Sequence, residues 1–105
     1  MIPRMPIPAL FAAAILFSAP ALAADTTVEI KNFDFMPMTL NIAVGDSVTW
    51  KNADGEPHTV VSVDGLFRSA ALDQNDSFKF TFTKAGTFKY VCTIHPKMVA
   101  TVTVK

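Results

Sequence analysis

The segment Tyr90–Met98, which reads YVCTIHPKM, decides how the rest of the chain is interpreted. It contains the only cysteine of the 105 residues, Cys92, and one of only two histidines, His95. Cys92, His95 and Met98 are evenly spaced, so that a thiolate, an imidazole and a thioether occur within one short stretch. The second histidine, His58, lies earlier in the chain. Two histidines, one cysteine and one methionine are the donor set of a trigonal copper site with a weak axial ligand.

The donor set also discriminates between metals. Zinc accepts thiolate and imidazole, but it prefers four strong tetrahedral ligands, and a thioether is a poor fourth. Copper accepts two imidazoles, a thiolate and a distant thioether, and it stands at the top of the divalent affinity order. The predicted site is therefore one copper ion held by His58, Cys92, His95 and Met98. Taken singly, these residues could be a buried apolar cysteine, a loop histidine and a core methionine; only their combination predicts a metal.

The beginning of the chain has the composition of an export signal. Arg4 is followed by an apolar run over residues 9–17 and by small residues that fit a cleavage site before residue 24. We predict a signal peptide over residues 1–23 and one mature domain over residues 24–105, located in the periplasm. The alternative is an uncleaved anchor, but the apolar run is short of the roughly 20 residues that a membrane span needs. No stable membrane association is expected after cleavage.

Charge and cysteine content exclude several classes of protein. Nine basic and nine acidic residues give zero formal net charge, which is not the signature of a nucleic-acid-binding protein. A lone cysteine cannot form a disulfide within the chain, and in an oxidising compartment it is a liability unless a metal occupies it. No motif places an acid–base pair beside the metal donors, so we expect no enzyme activity.

The remainder of the chain alternates apolar and polar residues with the period of β-strands. We predict an all-β, Greek-key β-sandwich of about seven strands. The predicted strands are residues 26–32, 39–44, 47–52, 59–63, 77–83, 87–92 and 99–105. Residues 32–37 are predicted to be a connection, 44–47 a hairpin or tight corner, and 68–72 a single helical turn.

These segments resemble the cupredoxins, and most of all the amicyanin type. The resemblance rests on the following stretches: VGDSVTW at 44–50, PH at 57–58, AAL at 70–72, FTFTKAGTFKY at 80–90 and the C-x₂-H-x₂-M loop. It implies that His58 and His95 bind copper through imidazole nitrogens, Cys92 through its thiolate and Met98 axially. It further implies a soluble periplasmic carrier that cycles between Cu(II) and Cu(I) and meets its redox partners transiently.

We expect a monomer whose partners dock beside the edge of His95. The alternative function is copper delivery or sequestration in the periplasm, which the soft thioethers of Met36 and Met38 would favour. A buried thiolate and only two histidines argue against that alternative. Two positions depart from the amicyanin pattern: Thr59 replaces a frequent asparagine, and Lys97 replaces an aromatic residue before Met98.

Several other side chains have predicted roles. Trp50 is predicted to lie in the core, and Tyr90 resembles a tyrosine corner, in which the hydroxyl bonds to the backbone. An apolar collar around His95 is predicted from Met36, Pro37, Met38, Pro57 and Pro96. Five acidic residues are predicted to be solvated loop charges: Asp34, Asp54, Glu56, Asp73 and Asp76.

Overall fold

A computed structural model describes residue 3 and residues 22–105 of the chain. The predicted signal peptide, residues 1–23, lies almost entirely outside this part. Eight strands are present: Asp25–Lys31 (β1), Asp34–Met36 (β2), Thr39–Ile42 (β3), Ser47–Asn52 (β4), Val61–Ser62 (β5), Ser77–Thr81 (β6), Gly86–Val91 (β7) and Val99–Val104 (β8). In the described residues there is no helix of the length and apolarity needed to cross a membrane.

The strands form two four-stranded sheets that pack face to face. One sheet has the order β2-β1-β4-β6 and the other the order β3-β8-β7-β5. Both sheets are mixed, because β1 runs parallel to β4 and β3 runs parallel to β8, while the remaining neighbours are antiparallel. Strands that pair in parallel cannot be joined by a tight hairpin, so the chain repeatedly crosses between the sheets. The all-β sandwich predicted from the alternating pattern is confirmed.

The connection from β3 to β4 is a tight corner and not a hairpin, since the two strands belong to different sheets. Gly45 occupies it with φ of 95°, a conformation that residues with a Cβ rarely adopt. The amide of Gly45 donates to the carbonyl of Phe82 at 2.7 Å, and Asp46 accepts hydrogen bonds from the amides of Ala24 and Ala43. These bonds hold the start of β1 against the corner.

The core lies between the sheets and is rich in aromatic rings. Trp50 is fully buried, as predicted, because it faces inward from β4 in alternation with exposed Lys51. Its ring stacks on Phe67 with centroids 5.4 Å apart and meets Tyr90 edge-on at 5.4 Å. Aromatic pairs of this kind contribute about 0.5–1.5 kcal/mol each beyond the burial of their area.

The prediction of a tyrosine corner at Tyr90 is wrong. Its hydroxyl is buried without a hydrogen-bond partner among the described residues, and so is the indole nitrogen of Trp50. Tyr90 instead packs edge-on against Phe35 and Trp50 in the centre of the sandwich. Packing of its ring, rather than a bond to the backbone, fixes this residue.

Two further predictions about local structure fail, and a third holds only in part. Residues 32–37 contain a short strand, β2, which accounts for the eighth strand. The strand predicted over residues 59–63 shrinks to β5. The segment 68–72 is extended, with isolated bridges from Leu72 to His58 and from Arg68 to Val61, and not a helical turn. Its backbone groups find partners in the loop before β5, which outweighs the local helical preference.

Candidate metal centre

Three of the four predicted donors converge at one end of the sandwich. Nδ1 of His58 and Nδ1 of His95 each lie 3.8 Å from Sγ of Cys92. One ligand atom from each of the three residues falls within 4.8 Å of the other two. His58 and Cys92 are completely buried, and His95 is partly exposed. Met98, the fourth donor, is only 4% exposed.

The loop from Cys92 to Met98 is closed by its own backbone. Cys92 directly follows the last residue of β7, and Val99 begins β8. The amide of Cys92 donates to the carbonyl of Met98 at 3.1 Å, and the amide of Met98 donates to the carbonyl of His95 at 2.9 Å. These two bonds bring the three donor residues of the loop to the same end of neighbouring antiparallel strands.

His58 is positioned from the opposite sheet, by the loop that follows β4. Its amide donates to the carbonyl of Leu72 at 3.1 Å, and its carbonyl accepts from the amide of Leu72 at 2.7 Å. The buried side chain of Asn52 supports the same loop by donating to the carbonyls of Glu56 and Leu72, each at 2.8 Å. The extended segment 68–72 is therefore part of the frame that holds this histidine.

Asp54 fixes the orientation of the His58 ring. A carboxylate oxygen of Asp54 lies 2.9 Å from Nε2 of His58. An ionised carboxylate only accepts hydrogen bonds, so the ring donates its Nε2 proton to Asp54, and Nδ1 is the nitrogen that faces Cys92. Partners of this kind orient metal-binding histidines and raise their basicity. The prediction that Asp54 is a solvated loop charge is wrong.

The same carboxylate holds the turn between β1 and β2. Asp54 accepts hydrogen bonds from the amides of Asn32 at 2.8 Å and Phe33 at 2.9 Å. Both residues have positive φ, 53° and 58°, which is uncommon for residues other than glycine. Burial alone would raise the pKa of Asp54, but the bonds from Phe33, His58 and Asn32 outweigh it and hold the pKa below 3.8.

This turn places the ring of Phe33 over the site. Phe33 meets His58 edge-on at a centroid distance of 5.3 Å and His95 at 5.0 Å. Phe33 cannot be predicted as part of the site from the sequence, because residues 32–37 have the pattern of an ordinary connection. Asn32 is the one local signal for this turn, because asparagine adopts positive φ more often than most residues, whereas Phe33 gives none.

The sulfur of Cys92 sits in surroundings that favour a thiolate. Burial raises the pKa of the thiol, but hydrogen bonds from the amide of Thr59 and from His58, together with the backbone and ring of His95, lower it to about 6. The Thr59 amide lies 3.4 Å from Sγ. A thiolate is the form of cysteine that binds metal. With this pKa, Cys92 is mostly a thiolate at neutral pH and can bind a cation without first losing a proton.

His95 reaches the protein surface through a depression. The residues that line it are Phe33, Asp34, Ile94, His95, Pro96, Lys97 and Met98. Phe33 is 47% exposed and Ile94 45% exposed, so apolar surface surrounds the histidine. Of the collar predicted from the sequence, only Pro96 belongs to this lining. Met36 and Met38 are exposed elsewhere, on and just after β2.

Known proteins resemble this chain over nearly all of its described length. A family model described as a cupredoxin-like domain matches residues 6–104. Amicyanin from Paracoccus denitrificans is 39% identical over 83 residues, covering 74% of this chain and 63% of that protein. Amicyanin-alpha from Methylorubrum extorquens is 32% identical over 102 residues, covering 92% of this chain and 86% of that protein.

Solved structures show the same similarity in three dimensions. A Cu(I) form of a methionine-to-alanine mutant of amicyanin superposes with a TM-score of 0.74 at 34% identity, covering 77% of this chain and 82% of that one. A purple cupredoxin from Nitrosopumilus maritimus superposes with a TM-score of 0.71 at 36% identity, covering 77% of this chain and 100% of that one.

The donor set fits the cofactor that these similarities imply. Two imidazole nitrogens and a thiolate sulfur surround one point, and a buried methionine follows in the same loop, which is the arrangement of a type 1 copper site. The buried cysteine has no disulfide partner that would compete for its sulfur. A family match over residues 6–104 shows that the chain belongs to the cupredoxin-like family, whose cofactor is one copper ion.

Proposed function

We propose that this chain is a periplasmic electron carrier that shuttles single electrons by cycling one copper ion between Cu(II) and Cu(I). Nδ1 of His58, Nδ1 of His95 and the thiolate of Cys92 would hold the copper, and the thioether of Met98 would be a weaker fourth donor. The observation that supports this most directly is the 3.8 Å spacing of both imidazole nitrogens from one buried sulfur. Family membership supports a carrier and not an enzyme.

The protein frame suits a site that changes charge without changing shape. His58 is held by Asp54 and by the backbone of Leu72, and the Cys92 loop is closed by its own hydrogen bonds. Ligands fixed in this way move little when an electron arrives, so that little energy is needed to reorganise the site. Bound copper supplies the redox chemistry, and the chain supplies rigidity and protection from water.

We further propose that electrons enter and leave through the exposed edge of His95. Of the four proposed ligands, only His95 is partly exposed, whereas the other three are buried. The apolar rings and side chains of Phe33 and Ile94 provide a contact surface around it, and Lys97 adds a positive charge. Contacts between redox proteins are small and transient, which such a limited surface fits. The carrier acts as a monomer.

Copper delivery or sequestration is less well supported. An ion that is passed on must be reached by the acceptor's ligands, yet His58 and Cys92 are completely buried. The exposed thioethers of Met36 and Met38 are not among the residues that line the depression at His95. They are the natural place to test the alternative.

Reconstitution with Cu(II) tests the proposed function. The protein, expressed as the full chain, should develop an intense thiolate-to-copper absorption band in the visible region and a narrow copper hyperfine splitting. Substitution Cys92→Ser should abolish the band, because the serine hydroxyl cannot supply a thiolate. The double substitution of Met36 and Met38 by leucine serves as a control, and it should leave both the band and the retention of Cu(I) unchanged.

Two outcomes would contradict the proposal. A wild-type protein that remains colourless with Cu(II) has no type 1 site. The second outcome is a coloured wild-type protein that gives up Cu(I) to a weak chelator faster than the double leucine variant of Met36 and Met38 does. Such a protein is a copper-delivery protein.

A further inference from the structure

Two threonine hydroxyl groups lie beside the Cys92 sulfur and are bonded to each other. Thr59 is 8% exposed, and Oγ1 of Thr59 lies 3.9 Å from Sγ of Cys92. The same oxygen is 2.8 Å from Oγ1 of Thr93 and accepts the amide proton of Thr93 at 2.8 Å. Thr93 directly follows Cys92, so this pair joins the loop after β4 to the loop after β7.

A count of protons and lone pairs allows two arrangements. Thr59 has one hydroxyl proton and two lone pairs, and the amide of Thr93 occupies one of these lone pairs. In the first arrangement Thr59 donates its proton to Thr93, and the sulfur receives nothing from the hydroxyl. In the second arrangement Thr93 donates to Thr59 and fills its remaining lone pair, so that the Thr59 proton is directed to the sulfur.

We propose that the second arrangement is the native one, and that Thr59 is a positioning residue that gives the Cys92 sulfur a hydrogen bond in addition to its own amide bond. This arrangement makes one more hydrogen bond than the first. The sulfur carries negative charge as a thiolate, and hydrogen bonds to charged acceptors are stronger than those between neutral groups. A hydroxyl that accepts two hydrogen bonds is also a better donor.

The consequence rests on the proposed function and concerns the reduction potential. Hydrogen bonds at the cysteine sulfur tune the potential of such sites. A hydrogen bond to sulfur is stronger when the sulfur keeps more of its negative charge, which is the case with Cu(I). The Thr59 hydroxyl therefore stabilises the reduced state more than the oxidised state and raises the potential. Thr93 acts only through Thr59. Its hydroxyl donates to Oγ1 of Thr59, so the hydroxyl proton of Thr59 is not used in a bond to Thr93.

Matched substitutions at the two positions test this assignment in the copper-loaded protein. Thr59→Val should lower the one-electron equilibrium constant for reduction about three- to tenfold, which is about 30–60 mV in potential. It should also shift the charge-transfer band to lower energy, because the sulfur loses a donor. Thr59→Ser keeps the hydroxyl and should restore both values. Thr93→Val should leave both near the wild-type values, since the Thr59 proton still points to sulfur.

The outcomes separate this inference from the proposed function. A potential that does not change in Thr59→Val, or one that rises in Thr93→Val, would show that the first arrangement is native. A Thr59→Ser variant that behaves like Thr59→Val would show that only the shape of the side chain matters. Thr59→Ala provides a second variant without the hydroxyl if the valine variant takes up no copper. A wild-type protein without a blue band contradicts the proposed function itself.

Discussion

At the scale of single residues, Met98 is the proposed ligand with the weakest bond to copper. Substitution Met98→Leu should preserve the blue band and raise the potential, because loss of the axial donor destabilises Cu(II) relative to Cu(I). The rise should be about 60 mV or more, equal to about a tenfold change in the one-electron equilibrium constant. Voltammetry of the copper-loaded protein measures it.

Met36→Leu is a suitable control for that experiment, since Met36 is 53% exposed on β2 and does not line the depression at His95. The control should not change the potential. A lower potential in Met98→Leu would show that the thioether is not the axial ligand.

The proposed ligands could be predicted from the sequence, whereas the residues that position them could not. Cysteine and histidine are rare in this chain, so that their spacing around Cys92 was informative by itself. The role of Asp54 depends on two left-handed residues, Asn32 and Phe33, whose amides turn toward it. Thr59 was identified only as a departure from the amicyanin pattern, and its bond to Thr93 required the two loops to be placed together.

At the scale of structural elements, Asp54 connects three parts of the structure at the metal-centre end of the sandwich. It lies in the loop after β4 and bonds to the turn between β1 and β2 and to the His58 ring. Substitution Asp54→Asn should lower the free energy of unfolding by about 1–3 kcal/mol, because the side chain loses one of its acceptor oxygens. Urea denaturation measures the loss. Asp73→Asn, at an exposed loop position, is the matched control and should have a much smaller effect.

The same substitution should change the response to acid. The pKa of Asp54 is lower in the folded protein than its usual 3.8, so its contribution to stability is complete above that value. The contribution disappears as the pH falls through the lower, folded-state pKa. Wild type and Asp54→Asn should therefore differ in stability at pH 7 and converge toward pH 2. A difference that persists unchanged in acid would mean that the carboxylate charge is not responsible.

The failures in strand prediction have two different causes. Strands with one buried face, such as β1 and β8, alternate clearly and were found within one or two residues. Segment 68–72 is held by backbone bonds to a more distant part of the chain, including the pair between Leu72 and His58, and a local pattern carries no information about such a partner. Strand β2 instead pairs with its sequence neighbour β1 across the left-handed turn at Asn32 and Phe33, and its three residues are too few to show an alternating pattern.

At the scale of the whole molecule, the position of each charge relative to His95 should govern electron exchange. Lys97 lines the depression at His95, whereas Lys105 follows β8 at the end remote from the site. Substitution Lys97→Glu should slow the oxidation of the reduced protein by an anionic complex such as ferricyanide, and speed oxidation by a cationic cobalt complex, about tenfold at low salt. Stopped-flow absorption of the blue band measures both rates.

Lys105→Glu changes the net charge by the same amount and distinguishes a local effect from a global one. At 0.1 M salt its rates should stay close to those of the wild type, because β8 separates it from the site by about 20 Å, twice the Debye length of about 10 Å, whereas the rates of Lys97→Glu should still differ from the wild type under the same conditions. The effect of Lys97→Glu should shrink as salt is added. Equal changes in the two variants would show that total charge alone controls the encounter. Unchanged rates in Lys97→Glu would show that electrons do not pass through the edge of His95.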